Sequence, residues 1–256
     1  MLLNWQKIFN YKTERAYRYS TSVVKVTGTI NWDSVPRLPA FENSNGQSVT
    51  EQTDVKMTWN TTNLVIRIVN HDYDVANRIQ TATAHDDGNI LTDDRIEIYL
   101  QKDSSNPAYI RFAVNAKNGT PWRYDASSKG GTNFVTSWTS SPASSATNSF
   151  STTDSTWTTT ITIPFSAIGI TPAENAAFKM QIKRGRPEGN SGWPDGSFYN
   201  QNNFAEVKLV NEITDPLFNK IILYDQGSAN RFPISVEFQK RNWQVSSGVT
   251  GETELN

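Results

Sequence analysis

Arg95, Glu97, Tyr99, Tyr109 and Arg111 fall at alternate positions of two neighbouring stretches, LTDDRIEIYL ending at Leu100 and YIRFAVN beginning at Tyr109. Successive side chains on a strand point to opposite faces, so these residues share one face while Ile96, Ile98, Leu100, Ile110, Phe112 and Val114 share the other. A third stretch, FKMQIKR from Phe178, alternates likewise and puts Lys179, Gln181 and Lys183 on its polar side. If sheet order brings these strands together, Glu97, Arg111 and Gln181 form a patch that holds both donors and acceptors. A polyhydroxylated ligand needs that combination: its hydroxyls pair with guanidinium and carboxylate groups while its C–H face stacks on an indole. The candidate indole is Trp193, in EGNSGWPDGSFYNQNN, a Gly/Pro/Asn run that reads as a loop exposing Trp193, Phe198 and Tyr199. Two plainer readings compete. In one, Glu97 and Arg111 form only a cross-strand ion pair, worth under about 1 kcal/mol if exposed; in the other, the loop indole folds back as a lid on the core.

Other chemistries fit less well. Asp72, Asp74, Asp86, Asp87, Asp93 and Asp94 are loop-rich acids of the kind that bind calcium, with Asp72 and Asp74 the candidate ligands, although no EF-hand pattern is present. Two histidines and no cysteine leave a zinc site short of ligands and rule out a disulfide framework. Glycoside hydrolysis needs two carboxylates about 5 to 10 Å apart, and Asp94 and Glu97 project from opposite faces of one strand. No nucleophile elbow or Ser/His/Asp order is visible. The expectation is a protein that is not an enzyme.

The elements that must position these residues are strands. Ser22 to Trp32 is a β-branched run broken at Gly28, and Asp54 to Trp59 with Leu64 to Asn70 forms a hairpin about Asn60 to Asn63. His71 to Ile90 lacks a period and reads as a long loop; Lys117 to Ser155 is poor in aliphatics and reads as irregular strands and loops. WTTTITIP from Trp157, FKMQIKR and Phe204 to Val210 supply further strands, and Phe165 to Ile168 one helical turn. IILYD from Ile221 and FPISVEFQKRNWQV from Phe232 add two more, whereas Lys7 to Tyr19 is the best helix candidate, read as a short lead-in. About ten strands with little helix predict an all-β chain, an antiparallel β-sandwich of jelly-roll or immunoglobulin-like type. Trp32, Trp59 and Trp157, in or beside strands, are expected in the core. A net charge of −1 and a pI near 6.2 give no reason to expect nucleic acid or an anionic membrane as partner. No run reaches the roughly 18 apolar residues of a membrane span, and the first twenty residues lack the apolar core of a signal peptide.

The order of TDVKMTWNTTNLVIRIVNHD, LTDDRIEIYL, YIRFAVNAKNGT, STWTTTITIPFSAIG, AAFKMQIKRGRP and NFAEVKL resembles the family 9 carbohydrate-binding modules and the wider sandwich superfamily around them. The resemblance implies a β-sandwich that binds sugars without cleaving them, and it implies sugar contacts at Glu97, Gln181 and Trp193. Two positions depart from the family pattern: Leu91 stands where members carry a second Trp, and Ala113 where they carry an Arg. Arg111, two residues earlier on the same face, is the expected substitute guanidinium, and Tyr199 or Phe198 a substitute ring. Structural calcium is also common among related modules.

The expected organisation is a lead-in over 1–22, the sandwich over 23–210, and a C-terminal extension over 211–256 that completes the sandwich or contacts a partner. The expected ligand is a cell-wall, plant or surface polysaccharide, met outside the cell or at its surface. The alternative is a structural or assembly protein of a surface layer or virus particle (virion), with protein partners, whose sandwich has lost its sugar site.

Overall fold

The structure, a computed structural model, describes residues 20–74, 78–82, 88–102, 109–116, 122–126, 134–135, 145–151, 153, 155–195, 198, 200–212, 234–237 and 242–245. The helical reading of Lys7 to Tyr19, the strand reading of IILYD, and Tyr199, Asp86 and Asp87 lie outside the described residues.

The strands are β1 (Ser20–Lys25), β2 (Thr53–Trp59), β3 (Asn63–His71), β4 (Arg95–Gln101), β5 (Tyr109–Asn115), β6 (Trp122–Ala126), β7 (Phe134–Val135), β8 (Ser145–Ser151), β9 (Thr156–Pro164), β10 (Ala177–Arg186), β11 (Gly189–Trp193), β12 (Ala205–Val210), β13 (Ile234–Glu237) and β14 (Asn242–Val245). One helical turn, α1 (Phe165–Ile168), follows β9. The first twelve strands form one sheet in the order β7-β6-β5-β4-β10-β12-β1-β2-β3-β9-β8, with β11 added to β10, while β13 and β14 pair separately.

The local causes are visible in the sequence. The β2–β3 hairpin closes where Asn60 Oδ1 accepts from the backbone N–H of Thr62 at 2.9 Å and Asn63 at 2.8 Å, an Asx turn that competes successfully with strand continuation. α1 stops because Gly169 adopts a left-handed φ of 66°, which costs glycine no Cβ clash.

Rows from both ends of the strand order meet in a single apolar cluster. Met57, Leu64, Ile66, Ile68, Ile161 and Ile163 from β2, β3 and β9 join Ile96, Ile98, Phe112, Met180, Ile182, Val207 and Leu209 from β4, β5, β10 and β12. The sheet is therefore curled over into two facing layers, and the all-β sandwich expectation holds. Trp59 and Trp157 are buried in this core as expected. Trp32 is instead half-buried, with the Arg67 guanidinium 5.9 Å from its ring centre.

One strand departs from an antiparallel plan. β1 runs parallel to both β12 and β2 and so forms the seam between the layers. Its partners are remote in sequence, and no local turn announces them.

Candidate functional site

The faces of β4, β5 and β10 turned away from the core carry the polar residues, and hydrogen-bond register sorts them into three cross-strand rows. Asn115, Arg95 and Gly185 form the first; Ala113, Glu97, Lys183 and Gly192 the second; Arg111, Tyr99 and Gln181 the third. Alternation along each strand is enough to place them there, because cross-strand partners share a face. The structure thus brings Glu97, Arg111 and Gln181 together. β6 continues the sheet, with Trp122 in register with Ala113 and Tyr124 with Arg111.

Glu97 sits at the centre and is completely buried. Its Oε1 accepts from Arg95 Nε at 2.8 Å and pairs with Lys183 Nζ at 3.2 Å, while Oε2 pairs with Arg111 Nη2 and accepts from the Tyr99 hydroxyl. Burial alone pushes the carboxyl pKa up; Arg111, Lys183, Arg95 and the Tyr99 hydrogen bond outweigh it and hold the group at about 2. The Glu97–Arg111 ion pair of the plainer reading does exist, but it is buried and belongs to a larger cluster. Arg95 and Lys183 complete the cluster beyond the expected Glu97, Arg111 and Gln181, and alternation on the same strands is the sequence signal that marks them.

Small residues flank the cluster and admit its cover. A Cβ on Gly185 would lie 2.5 Å from the Arg95 guanidinium carbon, so the missing side chain makes room for Arg95 to lie across β10. A Cβ on Gly192 would lie 2.6 Å from a ring carbon of Phe198, and that ring packs on Gly192 with its centre 5.5 Å from Lys183 Nζ. At the other end of the row, Ala113 is covered by Ala82 and Ile90. Asp93 holds this cover in place, accepting from Thr81 N at 2.8 Å, the Thr81 hydroxyl, Ala82 N at 2.9 Å and Asn115 Nδ2 at 2.9 Å. Burial raises the Asp93 pKa, but the bonds from Asn115, Thr81 and Ala82 prevail and lower it. Nearby, Ile79 and Leu91 are each 40% exposed and leave an apolar rim. Beside the third row Tyr109 packs edge to face with Tyr99 and Phe204, which tilt against each other at 45°, with ring centres 5.7 to 6.0 Å apart.

Trp193 is placed elsewhere. It ends strand β11 rather than sitting in a loop, pairs with Ile182, and is completely buried in the core cluster. Lys183 and Gly192 face the polar side, so Ile182 and Trp193 face the core. The expectation that this indole is exposed is corrected, and it is not on the face that carries Glu97. Among the described residues Phe198, half-buried, is a ring that reaches that face beside Gly192 and Lys183. Gln181 is fully buried in the third row and donates to Pro194 O at 3.4 Å.

Asp72, one of the two calcium candidates, is already engaged. Asp72 Oδ1 accepts from the Asp74 backbone N–H, and its Oδ2 lies 3.6 Å from Arg184 Nη2, so a dication here would face a guanidinium. Among the described residues no group of three or more His, Cys, Asp and Glu could hold a metal ion. No helix among them is long and apolar enough to cross a membrane.

Solved structures share this architecture. A carbohydrate binding module family 9 (CBM9) from Caldicellulosiruptor kristjanssonii in complex with glucose superposes with a TM-score of 0.55 at 12% identity, over 77% of this chain and 98% of that one. The same organism's module in complex with cellotriose gives 0.53 at 11%, over 76% and 96%. A putative carbohydrate-binding protein from Bacteroides uniformis gives 0.57 at 11%, over 74% and 98%. No curated protein sequence matches the chain. The model of the Carbohydrate family 9 binding domain-like family matches residues 26–212, most of the sequence, and the chain belongs to that family.

Proposed function

We propose that this domain binds a carbohydrate, without cleaving it, on the outward face of β4, β5 and β10. The observation that carries the reading is the preorganised group of Arg95, Arg111, Lys183 and Tyr99 around one buried carboxylate, beside the apolar surface of Phe198. Buried donors held in fixed directions cost little to organise when a ligand arrives, and an adjacent ring accepts the C–H face of a sugar. Membership of a family of binding domains and structural neighbours whose ligands are glucose and cellotriose support the same reading. Phe198 takes the stacking role first sought in Trp193, while Arg111 and Gln181 supply hydrogen bonds and Leu91 lines the rim. The ligand in this reading is a polysaccharide met outside the cell or at its surface.

Affinity electrophoresis and titration calorimetry against a glycan panel test this, using the wild type beside Phe198→Ala. Loss of the stacked ring is expected to weaken binding about tenfold, the equivalent of roughly 1.4 kcal/mol. Unchanged affinity in Phe198→Ala would remove the ring from the site, and failure to bind any glycan would overturn the function.

A further inference from the structure

The sheet ends in two unlike edges. On one side the strand order finishes at β7, which is two residues long; on the other it finishes at β8, which is seven. Natural sheets blunt their edges with short strands, charges, proline or a bulge, because a row of open N–H and C=O groups invites another strand. β7 is protected by its brevity. β8, SATNSFS, has no charge, no proline and no glycine, and its register on β9 runs from Ser145 against Thr162 to Ser151 against Thr156 without a break. Ser149, near its middle, is exposed.

The strand that suits this edge is the same strand of a second copy. In an antiparallel pair centred on Asn148, Thr147 falls opposite Ser149 and Ala146 opposite Phe150, and a two-fold axis makes each contact twice. Hydroxyl residues then meet hydroxyl residues, small meets large, and no like charges are opposed. A foreign strand would be selected by charge or by side-chain pockets, and residues 146–150 offer it no charge. Orientation follows from the symmetry. The two-fold axis of an antiparallel pair within one sheet stands normal to that sheet, so it turns a copy about the normal and leaves its faces pointing the same way. The outward face of β4, β5 and β10 belongs to the other layer, so both copies present it on one side of the pair.

We propose that β8 is a self-association edge through which two copies of the chain pair, and, resting on the carbohydrate-binding reading above, that the pair grips a polysaccharide surface bivalently. Two sites on one side raise retention on a repeating ligand without any new contact to it. Sedimentation velocity of the full chain tests the joint. The wild type is expected as a dimer. Ser149→Lys and Ser149→Glu are each expected as monomers, because like charges then lie diagonally across the axis, and an equimolar mixture of the two as a dimer again. That recovery separates lost pairing from lost folding. A monomeric wild type, or a dimer that Ser149→Lys leaves intact, would overturn the joint. Depletion from solution by an insoluble polysaccharide tests the bivalent grip: the wild type should be retained at least about tenfold more tightly than Ser149→Lys, with equal affinity for a soluble oligosaccharide. Equal retention of dimer and monomer would overturn the grip and leave the joint in place. Failure of both to bind any glycan would overturn the carbohydrate reading, and the sedimentation result would stand apart from it.

Discussion

At Glu97 burial and pairing pull in opposite directions, and pairing wins. A folded-state pKa of about 2, below the ordinary 4.5, means that the folded protein holds its proton less tightly than the unfolded chain does. The resulting stability is fully present above pH 4.5 and is lost as pH falls through 2, amounting to about 3 kcal/mol across that window. Urea unfolding of the wild type between pH 5 and 2 should show that loss. Glu97→Gln should flatten the profile, yet be less stable at pH 7 by about 3 to 5 kcal/mol, because three buried cations would face a neutral amide. A variant with the wild-type acid profile would show that another group controls it. The neighbouring acids illustrate how local the effect is. Asp93 is shifted down by its four donors, whereas burial shifts Asp94 up, opposed by the Ile79 N–H and reinforced by Asp72 and Glu188. Asp94→Asn keeps an acceptor for Ile79 N and is expected to leave stability at pH 7 unchanged or slightly raised, read from the same unfolding curves. Alternation made the common face of Arg95, Glu97 and Tyr99 legible in the sequence. The saturation of the carboxylate was not legible, because Lys183 reaches it only through the β4–β10 pairing.

Strand β11 shows how composition misleads about an element. Gly189, Gly192 and Pro194 surround Trp193, and such residues ordinarily signal a loop. Here Gly192 is a strand residue paired with Lys183, and its lack of a Cβ admits both the Ile182 carbonyl, 2.6 Å from where a Cβ would be, and the Phe198 ring. With Gly192 facing the site, its neighbour Trp193 must face the core. Trp193→Ala should accordingly cost about 3 to 5 kcal/mol in urea unfolding, as truncation of a buried aromatic does, while glycan affinity measured where the variant remains folded stays near wild type. Loss of affinity with stability intact would return Trp193 to the site. Gly185 makes the complementary case: Gly185→Ala places a methyl group within 2.8 Å of three guanidinium atoms of Arg95 and should drive that side chain off Glu97. The expected readout is a smaller acid-dependent loss of stability than in the wild type, with the Tyr99 and Arg111 contacts to Glu97 remaining.

Across the whole molecule the two layers are joined through β1. The hairpins β2–β3 and β4–β5 were legible because their turns and alternation are contiguous, and the six ordered segments that resemble family 9 modules fixed the architecture correctly. The seam was not, since parallel ladders pair segments far apart in the chain and leave no turn to read. β1 is flanked on both sides: Val23 pairs with Leu209 and is buried in the core, and Val24 pairs with Val210 and Thr58. Beside it, the Trp59 indole donates to Val210 O at 2.9 Å and the Thr58 hydroxyl to Val24 O at 2.8 Å, so side chains reinforce the backbone ladder. Proline in such a doubly paired strand removes an N–H and clashes with the ladder, for which no edge provides relief. Val23→Pro is therefore expected to open β2 and β12 as unpaired edges, which in β proteins promote association. Light scattering should then report oligomers, and denaturation should replace one cooperative transition by two or by a broad slope, as the layer containing β3 and β9 separates from that containing β4 and β10. A variant that stays monomeric with a single wild-type transition would mean that the core contacts between the layers suffice without the seam.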